Sequence, residues 1–527
     1  MSRKPKKRTP RDERSVPSGR ATVMGEPPEL RVAKSLFRRG EFDESLRQFA
    51  EAVRRYPRNI TVLIDAARAF GRRHQLDRAD VYLQRAAQQM PRRPDVQALI
   101  GESYRMLGMI PDAQRAFERV VTLVDDGIEA QLELAFLYER RHLLDRALEV
   151  LNRYLRVRAE HPAGCILRGR ILRRLQRHEE AESVLSELIA NRRTSPAAQA
   201  EAFGELTLLM DHQGRYEEAW RANAAAKQIQ LQQDAREWSA AQIVFRRFGD
   251  LANSLTRSSV QNWPQQPPRS PQRLAWLTGF PRSGTTLLEQ LLDAHSQIVC
   301  SEELDVLARE VFPDIAVQQS HETPILPLLD ALDTSRCERL RDRYVAMMAG
   351  HHRDGWGGRL HVDKNPALTL MIPVICRLFP EARILVAIRD PRDVIVSCFL
   401  RYLPLNPVSV CFLTLDRLVD RYLGDLSAWL KYRDLFAPQL FATRYEDLVS
   451  DPVGQAGKVC EFLGVPWEAE ILDYRVSQVG KAVASPTYED VAKPIYTSAM
   501  GRWRNYEDQL GEVLPKLEAV MQNLGYA

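Results

Sequence analysis

Leu274-Ala-Trp-Leu-Thr-Gly279-Phe-Pro-Arg282-Ser-Gly284-Thr-Thr286-Leu-Leu-Glu-Gln-Leu-Leu-Asp-Ala-His295 decides how the second half of this chain is read. A short apolar run ends at Gly279 and reads as a strand. A tight loop follows. Thr285-Thr286 then opens an amphipathic helix with Leu287, Leu288, Leu291 and Leu292 on one face. Strand, glycine-bounded loop and helix N-terminus together make an anion cradle, because backbone N–H groups and the positive helix end point outward. The spacing is close to G-x-x-x-x-G-K-[ST]. Thr285 stands where that pattern has lysine, and the basic group, Arg282, lies inside the loop. The difference shifts the reading away from phosphoryl transfer.

Phe280-Pro-Arg-Ser-Gly-Thr-Thr286 resembles the 5′-phosphosulfate loop of the sulfotransferases that use 3′-phosphoadenylyl sulfate (PAPS). The continuation through Leu292-Asp-Ala-His295 to Cys300-Ser-Glu-Glu303 is most similar to the tyrosylprotein sulfotransferase branch. The small-molecule branch usually carries lysine in the loop, where this chain has Arg282. The resemblance covers roughly residues 272–510 and none of the first half. It implies an α/β, P-loop-like domain with a central parallel sheet, PAPS as co-substrate and no metal.

The same resemblance assigns roles residue by residue. Arg282, Ser283, Gly284, Thr285 and Thr286 would hold the 5′-phosphosulfate. The 3′-phosphate, which sets PAPS apart from an ordinary nucleotide, needs a second cradle. Arg383-Ile-Leu-Val-Ala-Ile388 reads as a buried strand. It runs into Arg389-Asp-Pro-Arg-Asp393 and a helix holding Ser397 and Arg401. Arg389 and Ser397 have the family's eight-residue spacing, and Arg401 lies one helical turn past Ser397, on the same face. Arginine suits the task because its planar fork meets phosphate oxygens with two hydrogen bonds. Arg389 taken alone also reads as a salt-bridge partner of Asp390 or Asp393, and Arg392 as structural.

A general base must take the acceptor's proton. The second glutamate of Glu302-Glu303 matches the family's base, which makes it Glu303; Glu302 also reads as a cap for the next helix. Lys364, in His361-Val-Asp-Lys364-Asn-Pro366, would stabilise the transferring sulfonate together with Arg282. His361 is the rival base, but packed or surface histidine suits its position better. Tyr445, in Tyr445-Glu-Asp-Leu448, would reach the cofactor. Further on, Thr487 or its neighbour Ser485 would supply a hydroxyl to the sulfate, followed by cofactor-contacting Lys493 and Arg502.

The first half repeats. Ser45, Ala79, Ala113, Ala147 and Ala181 recur every 34 residues, and Ala219 follows after a four-residue insertion. Five residues before each stands a turn position: Gly40, His74, Gly108, His142, Gln176 and Gly214. A second small register is Ala33, Ala67, Gly101, Ala135 and Gly169, and a bulky one is Leu36, Phe70, Tyr104, Tyr138 and Leu172. The pattern resembles the tetratricopeptide repeat: stacked helix pairs with a concave face. The expected order is therefore a basic, disordered tail at 1–27, a tetratricopeptide solenoid at 28–235, a helical and proline-rich connector at 236–273, and the sulfotransferase domain at 274–527.

At 527 residues the chain is too long for one core. No apolar run is long enough for a membrane span. Residues 1–20 carry net +6 while the whole chain carries +5, so the body is nearly neutral. The tail reads first as a solvated arm, with a nuclear address, nucleic acid or an anionic membrane as lesser readings. Seven cysteines show no C-x-x-C pairing and suggest thiols in a reducing compartment. These features suggest a cytoplasmic compartment, and the resemblance implies an enzyme that sulfonates protein tyrosine. Its acceptor, a protein or peptide, docks on the repeats, and nucleic acid is not expected as a partner; a homodimer is left open. Carbohydrate, lipid or small-phenol acceptors, a P-loop kinase and a non-catalytic repeat scaffold are the alternatives. Residues 236–527 alone are expected to keep the bisphosphate site.

Overall fold

A computed structural model describes residues 26–124, 127–263, 273–316, 323–352, 355–474, 489, 495 and 497–526. Twelve helices form six antiparallel pairs: α1 (Pro28–Arg38) with α2 (Phe42–Arg55), α3 (Ile60–Arg72) with α4 (Leu76–Gln89), α5 (Pro94–Met106) with α6 (Ile110–Leu123), α7 (Ile128–Arg140) with α8 (Leu144–Val157), α9 (Pro162–Arg174) with α10 (His178–Ala190), and α11 (Pro196–His212) with α12 (Tyr216–Leu231). The periodic registers explain the pairing. Ser45, Ala79, Ala113, Ala147, Ala181 and Ala219 are each fully buried where two helices cross. At Gly101 and Gly169 even a methyl would collide, with Phe117 and Leu185 respectively.

All six turn positions take left-handed backbone, at φ between 59° and 80°. The N–H one residue later returns to the bulky register: Glu41 to Leu36 O, Gln75 to Phe70 O, Met109 to Tyr104 O, Leu143 to Tyr138 O and Arg177 to Leu172 O, at 2.9–3.0 Å. This is the Schellman closure, which satisfies carbonyls orphaned at a helix end. The turn and bulky registers are thus two ends of one hydrogen bond.

α13 (Ala235–Ser254) and α14 (Arg257–Asn262) follow. The sequence assigns this stretch to a connector. In the structure Phe248, Leu251, Leu255 and Trp263 belong to the same core as Trp276, Phe379 and Trp429 of the second half. An apolar face on α13 needs a partner, and α21 (Leu415–Leu435) supplies it.

Among the described residues of the second half are five strands: β1 (Leu274–Gly279), β2 (Ile298–Glu302), β3 (Leu360–Lys364), β4 (Arg383–Ile388) and β5 (Leu440–Arg444). Their order is β2-β3-β1-β4-β5, and every pairing is parallel. Side chains alternate between faces: Leu277 packs with α15 (Thr285–Asp293) and α23 (Pro452–Leu463), and Trp276 with α18 (Thr334–His351) and α19 (Ile372–Leu378). A sheet covered on both faces leaves the carboxyl ends of its strands open, where ligands bind in such folds.

Candidate functional site

The five strands end at Gly279, Glu302, Lys364, Ile388 and Arg444, and the expected site residues follow those ends. After β1, Ser283 N–H closes a turn onto Phe280 O at 3.1 Å. Arg282 is left-handed at φ 71° and Gly284 at φ 99°, just before α15 begins. Successive residues of alternating hand make a concave nest of N–H groups, set here at a nine-residue helix's positive end. Gly284 is obligatory: a Cβ would stand 2.7 Å from the Tyr445 ring.

The second cradle sits against the first. Arg282 Nε donates to Ser397 Oγ at 2.9 Å, and Arg389 Nη1 donates to Arg282 O at 3.3 Å. Ser397 lies on α20 (Pro391–Phe399). Arg389 also reaches Asp393 at 3.8 Å and lies 4.7 Å over the Tyr445 ring. The salt bridge with Asp393 and a place beside the Arg282 loop therefore coexist. Ser283 Oγ and Arg389 Nε are buried without a hydrogen-bond partner. Buried polar atoms of this kind call for a partner, and the two are a hydroxyl and a guanidinium N–H, donors suited to phosphate oxygens. Arg392 is structural, paired with Asp390 at 2.7 Å and 4.2 Å over Trp503.

Arg401 differs from expectation. α20 ends at Phe399, so Arg401 is beyond the helix and not on its face. Pro404 lacks an N–H and disfavours helix in the residue before it. Arg401 still lines the same cavity as Ser397.

At the ends of β2 and β3, Glu302 pairs in register with Lys364 and completes the strand instead of capping a helix. Glu303 is left-handed at φ 54°. Lys364 is fully buried, with Nζ 3.0 Å from Glu303, 3.2 Å from Glu289 and 3.7 Å from Glu302. Burial works to lower its pKa, but the three carboxylates hold it above the usual lysine value. Glu289, on α15, is pushed up to about 8 by burial, against the pull of Lys364. Lys364 is not among the described residues lining the cavity; Glu303 stands between them. His361 is fully buried and stacked on Trp356 at 4.5 Å, where burial pushes its pKa far down.

One cavity of about 1300 Å³ joins these parts. Arg282, Gly284, Thr285, Thr286, Glu303, Arg389, Ser397, Arg401, Tyr445 and Arg502 line it. Arg502 pairs with Asp211 of α11. Thr487, Ser485 and Lys493 lie outside the described residues. Sequence reasoning missed Glu289, Asp211 and Lys227. Glu289 had a local signal, a carboxylate beside the buried Leu288, Leu291 and Leu292. Asp211 and Lys227 had none, because their partners are far along the chain. Among the described residues no cluster suited to a metal and no helix long and apolar enough to cross a membrane occur.

Residues 275–469 match the sequence model of the sulfotransferase family, so the second half carries a sulfotransferase-family domain. An uncharacterized protein of Aquifex aeolicus is 25% identical over 357 residues, 66% of this chain and 45% of that protein. Protein-tyrosine sulfotransferase 2 of Gallus gallus is 25% identical over 270 residues, 48% of this chain and 69% of that protein. The chain thus spans less than half the length of the Aquifex relative. Among solved structures, the sulfotransferase domain of the Synechococcus PCC 7002 olefin synthase is 23% identical, with 46% of this chain and 90% of that one covered at a TM-score of 0.31. YrrB, described as a TPR protein with an unusual peptide-binding site, is 18% identical, with 35% and 93% covered at a TM-score of 0.29.

Proposed function

We propose, from a tetratricopeptide-like solenoid joined to a domain of the sulfotransferase family, that this chain moves the sulfonate of PAPS to an acceptor hydroxyl. The observation that carries the reading is the contact between the two cradles. Arg282 binds Ser397, Arg389 binds Arg282, and all three line one cavity with Glu303. A donor with a sulfated 5′-phosphate and a 3′-phosphate needs two such anion sites side by side.

In this reading the backbone nest of 283–286 and Arg282 take the phosphosulfate, and Arg389, Ser397 and Arg401 take the 3′-phosphate. Glu303 accepts the acceptor's hydroxyl proton. The acceptor oxygen forms a bond to sulfur, the bond from sulfur to the bridging phosphate oxygen breaks, and adenosine 3′,5′-bisphosphate leaves. Arg282 offsets the growing charge, with Thr487 or Ser485 supplying a hydroxyl as the family resemblance implies. Lys364 acts through Glu303, which it holds.

Protein tyrosine is the acceptor we favour. The Gallus relative bears that activity in its name, and the cavity extends to Leu208, Asp211 and His212 of the solenoid. The cysteines fit a reducing, cytoplasmic setting: among the described residues all seven are free thiols. The test is transfer of labelled sulfonate from PAPS to tyrosine peptides, glycans and phenols in parallel. Incorporation into peptide supports the reading; transfer to none of them removes it.

A further inference from the structure

Arg401 and Arg502 belong to the sulfotransferase half, and groups of the solenoid hold the backbone of the first and the side chain of the second. Lys227, on α12, is 4% exposed, and its Nζ donates to the carbonyl of Arg401 at 2.9 Å. Gln230, almost one turn further, donates to the carbonyl of Leu403 at 2.8 Å. Between these two anchors Tyr402 seats on α11: a Cβ at Gly204 would stand 2.3 Å from the Tyr402 Cβ. On the same helix Asp211 takes the guanidinium of Arg502 on one oxygen and the hydroxyl of Tyr506 on the other, the latter at 2.6 Å.

These contacts fix backbone as well as side chains. Past α20, residues 401–403 have left the helical ladder, and carbonyls removed from water need donors. Lys227 and Gln230 are the donors, so the path of this segment is set by α12. A guanidinium placed on a phosphate is only as well oriented as the backbone that carries it.

We propose that the last helix pair of the solenoid is a wall of the donor site. Lys227 is a positioning residue that fixes the backbone from which Arg401 reaches the 3′-phosphate, and Asp211 orients the guanidinium of Arg502 at the cavity wall. The inference rests on the donor being a 3′-phosphorylated nucleotide. It reverses the expectation that residues 236–527 keep the bisphosphate site alone, since that piece lacks Gly204, Asp211, Lys227 and Gln230.

The experiment is calorimetric titration of the full chain with adenosine 3′,5′-bisphosphate and with adenosine 5′-phosphate. Wild type is compared with Lys227→Met, Gln230→Leu and, as a control on the exposed side of α6, Arg119→Met. Lys227→Met is expected to weaken bisphosphate binding roughly tenfold, the scale of one lost buried hydrogen bond, and to leave 5′-phosphate binding unchanged. Arg119→Met changes neither. Equal loss for both nucleotides would show general loosening and overturn the proposal, as would unchanged bisphosphate affinity. If Lys227→Met does not fold, Gln230→Leu is read by the same two criteria. A wild type that does not prefer the bisphosphate removes the donor assignment itself, and this inference with it. A preference that survives both variants removes this inference alone.

Discussion

Glu303 is tied to Lys364 twice: its N–H donates to the Lys364 carbonyl at 2.7 Å, and Lys364 Nζ donates to its Oε1 at 3.0 Å. The first bond extends the β2–β3 ladder by one residue, while the backbone turns left-handed at φ 54°. A non-glycine residue held there costs on the order of 1–3 kcal/mol, and such strain gathers at functional positions. The pair leaves the carboxylate a third exposed and the lysine fully buried. Glu303 thus faces the cavity from a fixed mount.

Glu303→Gln should keep the fold and the mount while removing proton acceptance. Turnover is expected to fall by about 10²–10⁴-fold, the usual scale of a lost general base, with bisphosphate affinity unchanged. Steady-state rates beside a binding titration check both halves. Normal turnover would reduce Glu303 to a structural partner of Lys364.

Lys364→Met should act differently. It strands Glu289, Glu302 and Glu303 around an apolar tip, and removal of one partner from a buried ionic group costs about 3–5 kcal/mol. A lowered unfolding midpoint is the expected readout, larger than for Glu303→Gln.

Arg389→Ala should weaken adenosine 3′,5′-bisphosphate by about tenfold or more, since a buried charge-assisted contact is worth about 1.5–3 kcal/mol. Adenosine 5′-phosphate should bind the variant as it binds wild type. Equal weakening of both nucleotides would mean that Arg389 serves the loop through Arg282 O and not the 3′-phosphate.

Glu289 predicts a pH dependence. Burial raises its folded-state value to about 8 from an ordinary value of 4.5. The folded chain therefore keeps a proton that the unfolded chain releases, and stability from this group falls as pH rises from about 4.5 to about 8. Glu289→Gln, which mimics the protonated acid, should flatten that decline. Unfolding midpoints of wild type and variant across this window check it; parallel curves would refute it.

Gln176→Gly tests the repeat turns. Gln176 is exposed and left-handed at φ 60°, where a side chain costs about 1–2 kcal/mol. Part of that gain is offset by the freedom glycine adds to the unfolded chain. A net rise of about 1 kcal/mol in denaturant unfolding of the solenoid is expected.

Much of this architecture was legible in the chain because it rests on local rules. The 34-residue registers encode helix crossings and Schellman turns within one repeat, and each of the six turn positions is left-handed. The loop from Gly279 to Thr286 encodes strand, nest and helix start through neighbours alone. Arg389 and Ser397 were singled out by the family resemblance at one strand end and the helix after it, and both line the cavity.

What tertiary structure decided are the partnerships between segments far apart in sequence. No local pattern says that Lys364, at the end of β3, is met by Glu289 from α15 and buried behind Glu303. None says that α13 abandons the connector for the second core. None says that Lys227 and Asp211, 174 and 291 residues before their partners, meet the two arginines. The physical reason is common to all of them. A buried charge or carbonyl must find its counter-group wherever the packed chain brings one, and that place is set only when elements distant in sequence pack together.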